Sequence, residues 1–114
     1  MVKARLVIEA ESPLECIEGQ QVVLSCRVTT PTGTSVAGVG VIFHVTDSAG
    51  GRDLGTARTG SDGVASRLYR PSFNFRGRRS SAVLKYVTRI EDSRRWYATR
   101  DAGQITFLRA DSGQ

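Results

Sequence analysis

Apolar and polar residues alternate along the segment from Val39 to Thr46, the clearest pattern in the chain. On an extended backbone, one side would carry Val39, Val41, Phe43 and Val45, and the other Gly40, Ile42, His44 and Thr46. A period of two residues is typical of a β-strand with one buried face. The segment is therefore predicted to be a strand whose valines and phenylalanine face a core.

Similar extended segments recur along the chain, separated by residues that favour turns. Their predicted bounds are 5–10 with a short continuation at 14–17 after Ser12-Pro13, then 22–29, 39–46, 54–59, 64–69, 80–88 and 104–109. No stretch holds the apolar spacing of a helix. Short strands with turn residues about every eight to twelve positions predict an all-β sandwich of about seven strands.

The alternation also predicts which side chains form the core. The expected core residues are Leu24, Cys26, Val28, Val41, Phe43, Val45, Leu84 and Phe107. The segment from Val64 to Tyr69 allows two registers. Either Ala65 and Tyr69 face inward, with Arg67 at a sheet edge, or the inner face consists of Val64, Ser66 and Leu68.

A length of 114 residues suits one domain with its own core. We place this domain at residues 1–109 and assign residues 110–114 to a tail or linker. No apolar run approaches the roughly 20 residues of a membrane helix, so no membrane insertion is expected. The first residues lack a signal peptide. We therefore expect a cytosolic protein if the sequence is complete, and an extracellular or cell-surface one if it belongs to a larger secreted chain.

The two cysteines, Cys16 and Cys26, are too few to frame the fold with disulfides. Cys26 belongs to the apolar alternation of residues 22–28, which predicts a small buried core residue. A bridge between the two is open on sequence grounds, and two buried thiols are the expectation.

The net charge of +5 arises from fourteen arginines and two lysines against eleven acids. Arginine binds phosphate, sulfate and carboxylate well, although a GC-rich genome also produces such a bias. Two clusters mix arginine with aromatic residues, and their candidate polyanion-binding residues are Arg76, Arg78, Arg79, Arg94, Arg95 and Trp96. In a sandwich these clusters would leave opposite ends. We therefore favour a structural role for each, with Trp96 or Tyr97 closing one end.

Residues suited to catalysis or metal binding are few. The single histidine, His44, falls on the outward side of its strand, with no cysteine or acid nearby at metal-ligand spacing. Asp47 and Asp53 bracket Gly50-Gly51, and a hairpin explains them better than a calcium site, which needs six or more oxygens. We expect no enzymatic activity, no metal and no cofactor.

Three runs carry a resemblance to a known family. They are Gly19-Gln20-Gln21-Val22-Val23-Leu24-Ser25-Cys26-Arg27-Val28, Val36-Ala37-Gly38-Val39-Gly40-Val41-Ile42-Phe43 and Gly60-Ser61-Asp62-Gly63-Val64-Ala65. Together they resemble the bacterial immunoglobulin-like domains that are repeated in invasin- and intimin-type surface proteins. The resemblance implies an immunoglobulin-like antiparallel β-sandwich. The chain departs from the family pattern at Val36-Ala37, where proline-valine is usual, and at Gly60, where aspartate is frequent.

Three functional hypotheses follow. The first is a non-catalytic spacer or adhesion module of a larger bacterial surface or secreted protein, whose partners are proteins or neighbouring domains. The second is a module that binds a polyanion, either nucleic acid or sulfated glycan, through its arginine-rich loops. The third is a stand-alone intracellular or phage-encoded recognition module.

Overall fold

The computed structural model describes residues 3–47, 50–71 and 81–110. In this part of the chain there are eight strands and no helix, which confirms the all-β prediction. The strands are β1 (Val7–Ala10), β2 (Leu14–Ile17), β3 (Val22–Thr29), β4 (Gly40–Asp47), β5 (Gly50–Arg58), β6 (Val64–Tyr69), β7 (Ser81–Ile90) and β8 (Thr99–Leu108). The described residues include no helix that is long and apolar enough to cross a membrane.

The strands form two sheets, one of three strands in the order β1-β3-β6 and one of five in the order β2-β8-β7-β4-β5. The strand count is eight rather than about seven, because the first predicted strand and its continuation pair in different sheets. The expectation of purely antiparallel sheets is wrong at one place, since β2 lies parallel to β8. The other pairings among the named strands are antiparallel.

The crossing between sheets, from β1 to β2, is held by two polar contacts. The backbone N–H of Ala10 donates to the carboxylate of Asp101 on β8 at 2.8 Å. The hydroxyl of Tyr86 on β7 donates to the carbonyl of Glu11. Both contacts join the first segment of the chain to the five-stranded sheet, and each satisfies a backbone group where the β1 ladder ends.

The core lies between the two sheets and contains every residue that the alternation predicted. Leu24, Cys26, Val28, Val41, Phe43, Val45, Leu84 and Phe107 are all buried. Tyr86 and Phe43 are the largest of the fully buried side chains. Tyr86 fits because its cross-strand partner is Gly103, and a Cβ at that position would collide with the tyrosine ring.

The register of β6 follows the first of the two alternatives. Ala65 and Tyr69 are buried, whereas Leu68 is exposed. Arg67 lies on the same side as Ala65 and Tyr69, in a strand at the edge of the three-stranded sheet. Its guanidinium lies against Gly55 of β5, whose positive φ of 101° and lack of a side chain leave room for it. Arginine is thus accommodated at a sheet edge rather than in the core.

The connections between strands gather at two ends of the sandwich. One, here called the Trp96 end, comprises residues 3–6, 30–39, 59–63 and 91–98, where β7 ends and β8 begins. The opposite end, called the Gly19 end, comprises residues 18–21 and 108–110, together with the places where β4 and β6 end and where β5 and β7 begin. The ten residues of β7 separate the two ends. At about 3.3 Å per residue, this distance is roughly 30 Å.

Candidate functional site

The two arginine-rich clusters differ in what the structure describes. Arg76, Arg78 and Arg79 lie outside the described residues, in the connection that precedes β7. Arg94, Arg95 and Trp96 lie in the connection that follows β7, at the Trp96 end. The described cluster lies where β7 ends, ten residues from the start of that strand. It is completed from another part of the chain.

Residues 3–5 lie along the connection between β7 and β8. The N–H of Ala4 donates to the carbonyl of Arg95 at 2.9 Å, and the N–H of Tyr97 donates to the carbonyl of Ala4 at 3.1 Å. Ala4 and Trp96 therefore form an isolated parallel bridge. This bridge brings Lys3 and Arg5 beside Arg94 and Arg95, although about ninety positions separate them in sequence.

Cations lie over both aromatic rings at this end. The Nζ of Lys3 and the Cζ of Arg5 lie 5.0 and 4.8 Å from the centre of the Tyr97 ring. The Cζ of Arg95 lies 5.0 Å from the centre of the Trp96 ring. These distances are within the range of a cation–π interaction. The rings thus hold the cations near the surface in defined positions.

Trp96 itself is half-buried and packs against the core. The hydroxyl of Ser93 accepts hydrogen bonds from the N–H groups of Arg95 and Trp96 at 3.2 and 3.1 Å, which fixes the turn that presents the indole. The expectation that an aromatic residue closes this end of the sandwich agrees with this packing. Tyr97, by contrast, is 40% exposed.

Carboxylates offset part of the positive charge. Asp92 accepts a hydrogen bond from Lys3 at 2.8 Å, and this contact lowers the pKa of the Asp92 carboxyl. Glu91 is exposed beside it. Residues 3–6 and 91–98 together carry four cations, Lys3, Arg5, Arg94 and Arg95, against these two acids. The charge of these two segments is therefore positive by two, and Asp62 in residues 59–63 adds a third acid elsewhere at the Trp96 end.

A second polar cluster lies on the outer face of the five-stranded sheet. The register of β4 and β5 places His44 opposite Asp53, and the His44 Nδ1 lies 2.7 Å from the Asp53 Oδ1. Arg89 on β7 approaches the same oxygen at 3.9 Å. His44 and Asp53 are nine positions apart in the sequence, so their contact became visible only once β4 and β5 were paired. Within residues 3–47, 50–71 and 81–110 there is no group of three or more histidine, cysteine or acidic side chains that could hold a metal.

The cysteines are both free and buried. Burial raises the pKa of the Cys26 thiol to about 11, and it also raises the pKa of Cys16. The Sγ of Cys16 donates to the carbonyl of Gln20 at 3.4 Å. A reactive cysteine needs the opposite change, a pKa lowered by nearby positive charge. Each thiol is therefore a core group in this structure.

Comparisons with known proteins give no family for the chain. No model of a protein family matches it. A search of curated proteins likewise found no match.

Proposed function

We propose that this chain is a non-catalytic, immunoglobulin-like module that acts as a spacer or adhesion unit in a larger bacterial surface or secreted protein. The observation that carries this proposal is the position of the two ends of the described chain. Lys3 is bonded to Asp92 at the Trp96 end. The N–H of Ala110 donates to the Glu18 carboxylate at the Gly19 end, at 3.1 Å. A chain that enters at one end and leaves at the other extends an array by the full length of the sandwich.

The strand order supports an immunoglobulin-like assignment. The run β8-β7-β4-β5 corresponds to strands G, F, C and C′ of a variable-type immunoglobulin sheet, and β1-β3-β6 corresponds to A, B and E. Antibody domains have a disulfide between strands B and F. At the corresponding place in this chain, the free Cys26 on β3 lies beside Thr88 on β7. The motif resemblance of residues 19–28, 36–43 and 60–65 adds the bacterial module family as the proposed relative.

The mechanism requires stiffness rather than a reactive group. A core that continues through both sheets resists bending, because interiors are close-packed. The contact from Tyr86 to Glu11 and the contact from Ala10 to Asp101 tie the entering segment to the far sheet. Tension applied at residue 3 is thus transmitted to both sheets. The loops of the Trp96 end remain available for a partner.

Tandem copies test the proposal. One, two and three copies, joined from residue 110 to residue 3 without added linker, should be compared by small-angle X-ray scattering. The maximum dimension should grow linearly, by about 40 Å per copy, since each copy adds its strand length and its end loops. The matched control contains about fifteen glycine and serine residues between copies, which behave as a flexible coil and should make the growth less than linear. Direct-joined copies that fold back side by side, with no growth in length, would refute the spacer.

A further inference from the structure

We propose that the Trp96 end binds a sulfated polysaccharide through Arg5, Arg94, Arg95 and Lys3. This binding activity goes beyond the spacer role and does not depend on it. The four cations come from two distant segments that the Ala4–Trp96 bridge holds together. Arg94, Arg95 and Arg5 are exposed. Sulfate groups bind guanidinium well, and a chain of sulfates can contact several cations at once.

The positive surface continues onto the outer face of the five-stranded sheet. Arg89 on β7 and Arg100 on β8 are directly opposite in the strand register. Like charges at directly opposite positions destabilise a sheet. Arg89 has Asp53 at 3.9 Å, a carboxylate that already contacts His44 at 2.7 Å. An anion between the two guanidinium groups would relieve their repulsion, so a long ligand can extend from the loop onto this pair.

The aromatic residues favour a sulfated sugar over a nucleic acid. A protein that binds single strands offers free ring faces on which bases stack. Here Lys3 and Arg5 lie over the Tyr97 ring, and Arg95 lies over Trp96. The other part of the Trp96 side chain packs against the core. Because the rings support cations, this end presents charge without a stacking platform.

Three of the four cations, Lys3, Arg5 and Arg95, are also held in place before a ligand arrives, because they lie over aromatic rings. Backbone hydrogen bonds from Ala4 to Arg95 and from Tyr97 to Ala4 fix the two segments side by side. A side chain that is already ordered loses less freedom on binding. Lys3 is partly neutralised by Asp92, so the centre of the site is expected at Arg5, Arg94 and Arg95.

The experiment is a heparin titration of the complete chain and of three double variants. Arg94→Gln with Arg95→Gln, and Lys3→Gln with Arg5→Gln, each remove two charges from the Trp96 end. The matched control, Arg70→Gln with Lys85→Gln, removes two exposed charges outside this end. We expect each of the first two variants to bind about tenfold more weakly or worse, and the control to change less than about threefold. The slope of log affinity against log salt should fall by about two only in the first two variants.

Thermal unfolding of each variant shows whether it still folds. If the variant of Arg94 and Arg95 does not fold, the result for the variant of Lys3 and Arg5 decides the test. A wild-type chain that does not bind heparin would overturn the proposal. So would equal losses in the control and in the variants of the Trp96 end.

A single-stranded oligothymidine of matched charge provides the remaining arm. It should bind more weakly than heparin. Trp96→Ala removes the ring beneath Arg95, so it should weaken heparin binding by less than about fivefold wherever the variant is folded. Tighter binding of the oligonucleotide, with loss on Trp96→Ala of about tenfold, would replace the sugar with a nucleic acid.

Discussion

At the scale of single residues, the fold depends on side chains that fill the space between the sheets. Phe43 and Tyr86 are fully buried, on β4 and β7. Tyr86 also brings a hydroxyl into the core, which donates to the Glu11 carbonyl and approaches the Ser25 carbonyl at 3.4 Å. Burial raises the pKa of the Tyr86 hydroxyl, so it remains a donor at alkaline pH as well as at neutral pH. One side chain thus contributes apolar area and also satisfies a backbone acceptor.

Phe43→Ala should lower the free energy of unfolding by about 3–5 kcal/mol, because it removes a buried ring and leaves a cavity. Urea denaturation measures this loss directly. Val23→Ala is the control, since Val23 is 50% exposed on β3 and should cost little. A loss below about 1 kcal/mol for Phe43→Ala would show that the residue lies outside the core.

Cys26 should make the protein sensitive to alkaline pH. Burial raises its pKa from the ordinary 9.0 to about 11, so the folded state disfavours the thiolate. The protonated Cys26 thiol makes its full contribution to folding stability below pH 9. This contribution is lost as the pH rises towards 11, because the thiol releases its proton at a lower pH in the unfolded chain than in the folded one. The free energy of unfolding should therefore decrease over this range, by at most about 3 kcal/mol. Cys26→Ala should show a smaller decrease from its own neutral-pH value, and an equal decrease would contradict this account.

At the scale of elements, alternation predicts strands well where one face is buried. The bounds of β2, β3 and β6 agree with the prediction. β5 begins at Gly50 rather than Leu54, because its first residues pair with β4 at a sheet edge and remain exposed. β8 begins at Thr99 rather than at Gln104. Alternation did not predict its first half, because the residue that faces the Tyr86 ring there is Gly103, which has no apolar side chain. Alternation detects burial, and these two half-strands are stabilised mainly by backbone pairing.

The pairing of elements also explains what sequence reasoning missed in the candidate site. Lys3 and Arg5 are isolated cations in the sequence, with no aromatic residue nearby. They reach Tyr97 only because Ala4 bridges Trp96. The sheet exchange between β1 and β2 has a similar origin, since a period of two residues says nothing about which sheet a strand joins. Long-range pairing decides both features.

Thr88→Cys tests whether β3 faces β7. The Cys26 thiol and the Thr88 hydroxyl lie side by side in the core. Oxidation of the variant should join Cys26 to the introduced cysteine in a disulfide between the sheets, with loss of both free thiols and a gain of about 2–4 kcal/mol in stability. Mass spectrometry identifies the bridged peptides. Thr106→Cys is the control, since it lies on the outward side of β8 and should form no such bridge. If the folded Thr88→Cys variant also formed no bridge, the face-to-face packing of β3 and β7 would be contradicted.

Over the whole molecule, the described chain runs from Lys3 at the Trp96 end to Ala110 at the Gly19 end. Lys3 with Asp92 and Ala110 with Glu18 define these two ends. This path from one end to the other is what the proposed spacer role requires. The proposed sugar-binding surface then lies beside residue 3, at the Trp96 end.

The distance between residues 4 and 110 shows whether the two ends of the described chain lie on opposite sides of the sandwich. Ala4→Cys and Ala110→Cys allow two spin labels, while the native thiols are buried, and labelling of the unsubstituted chain checks that they do not react. Double electron–electron resonance should give one distance of about 35–45 Å, since β8 and its flanking residues span that length. A main distance below about 25 Å would place both ends of the chain on the same side and contradict the account.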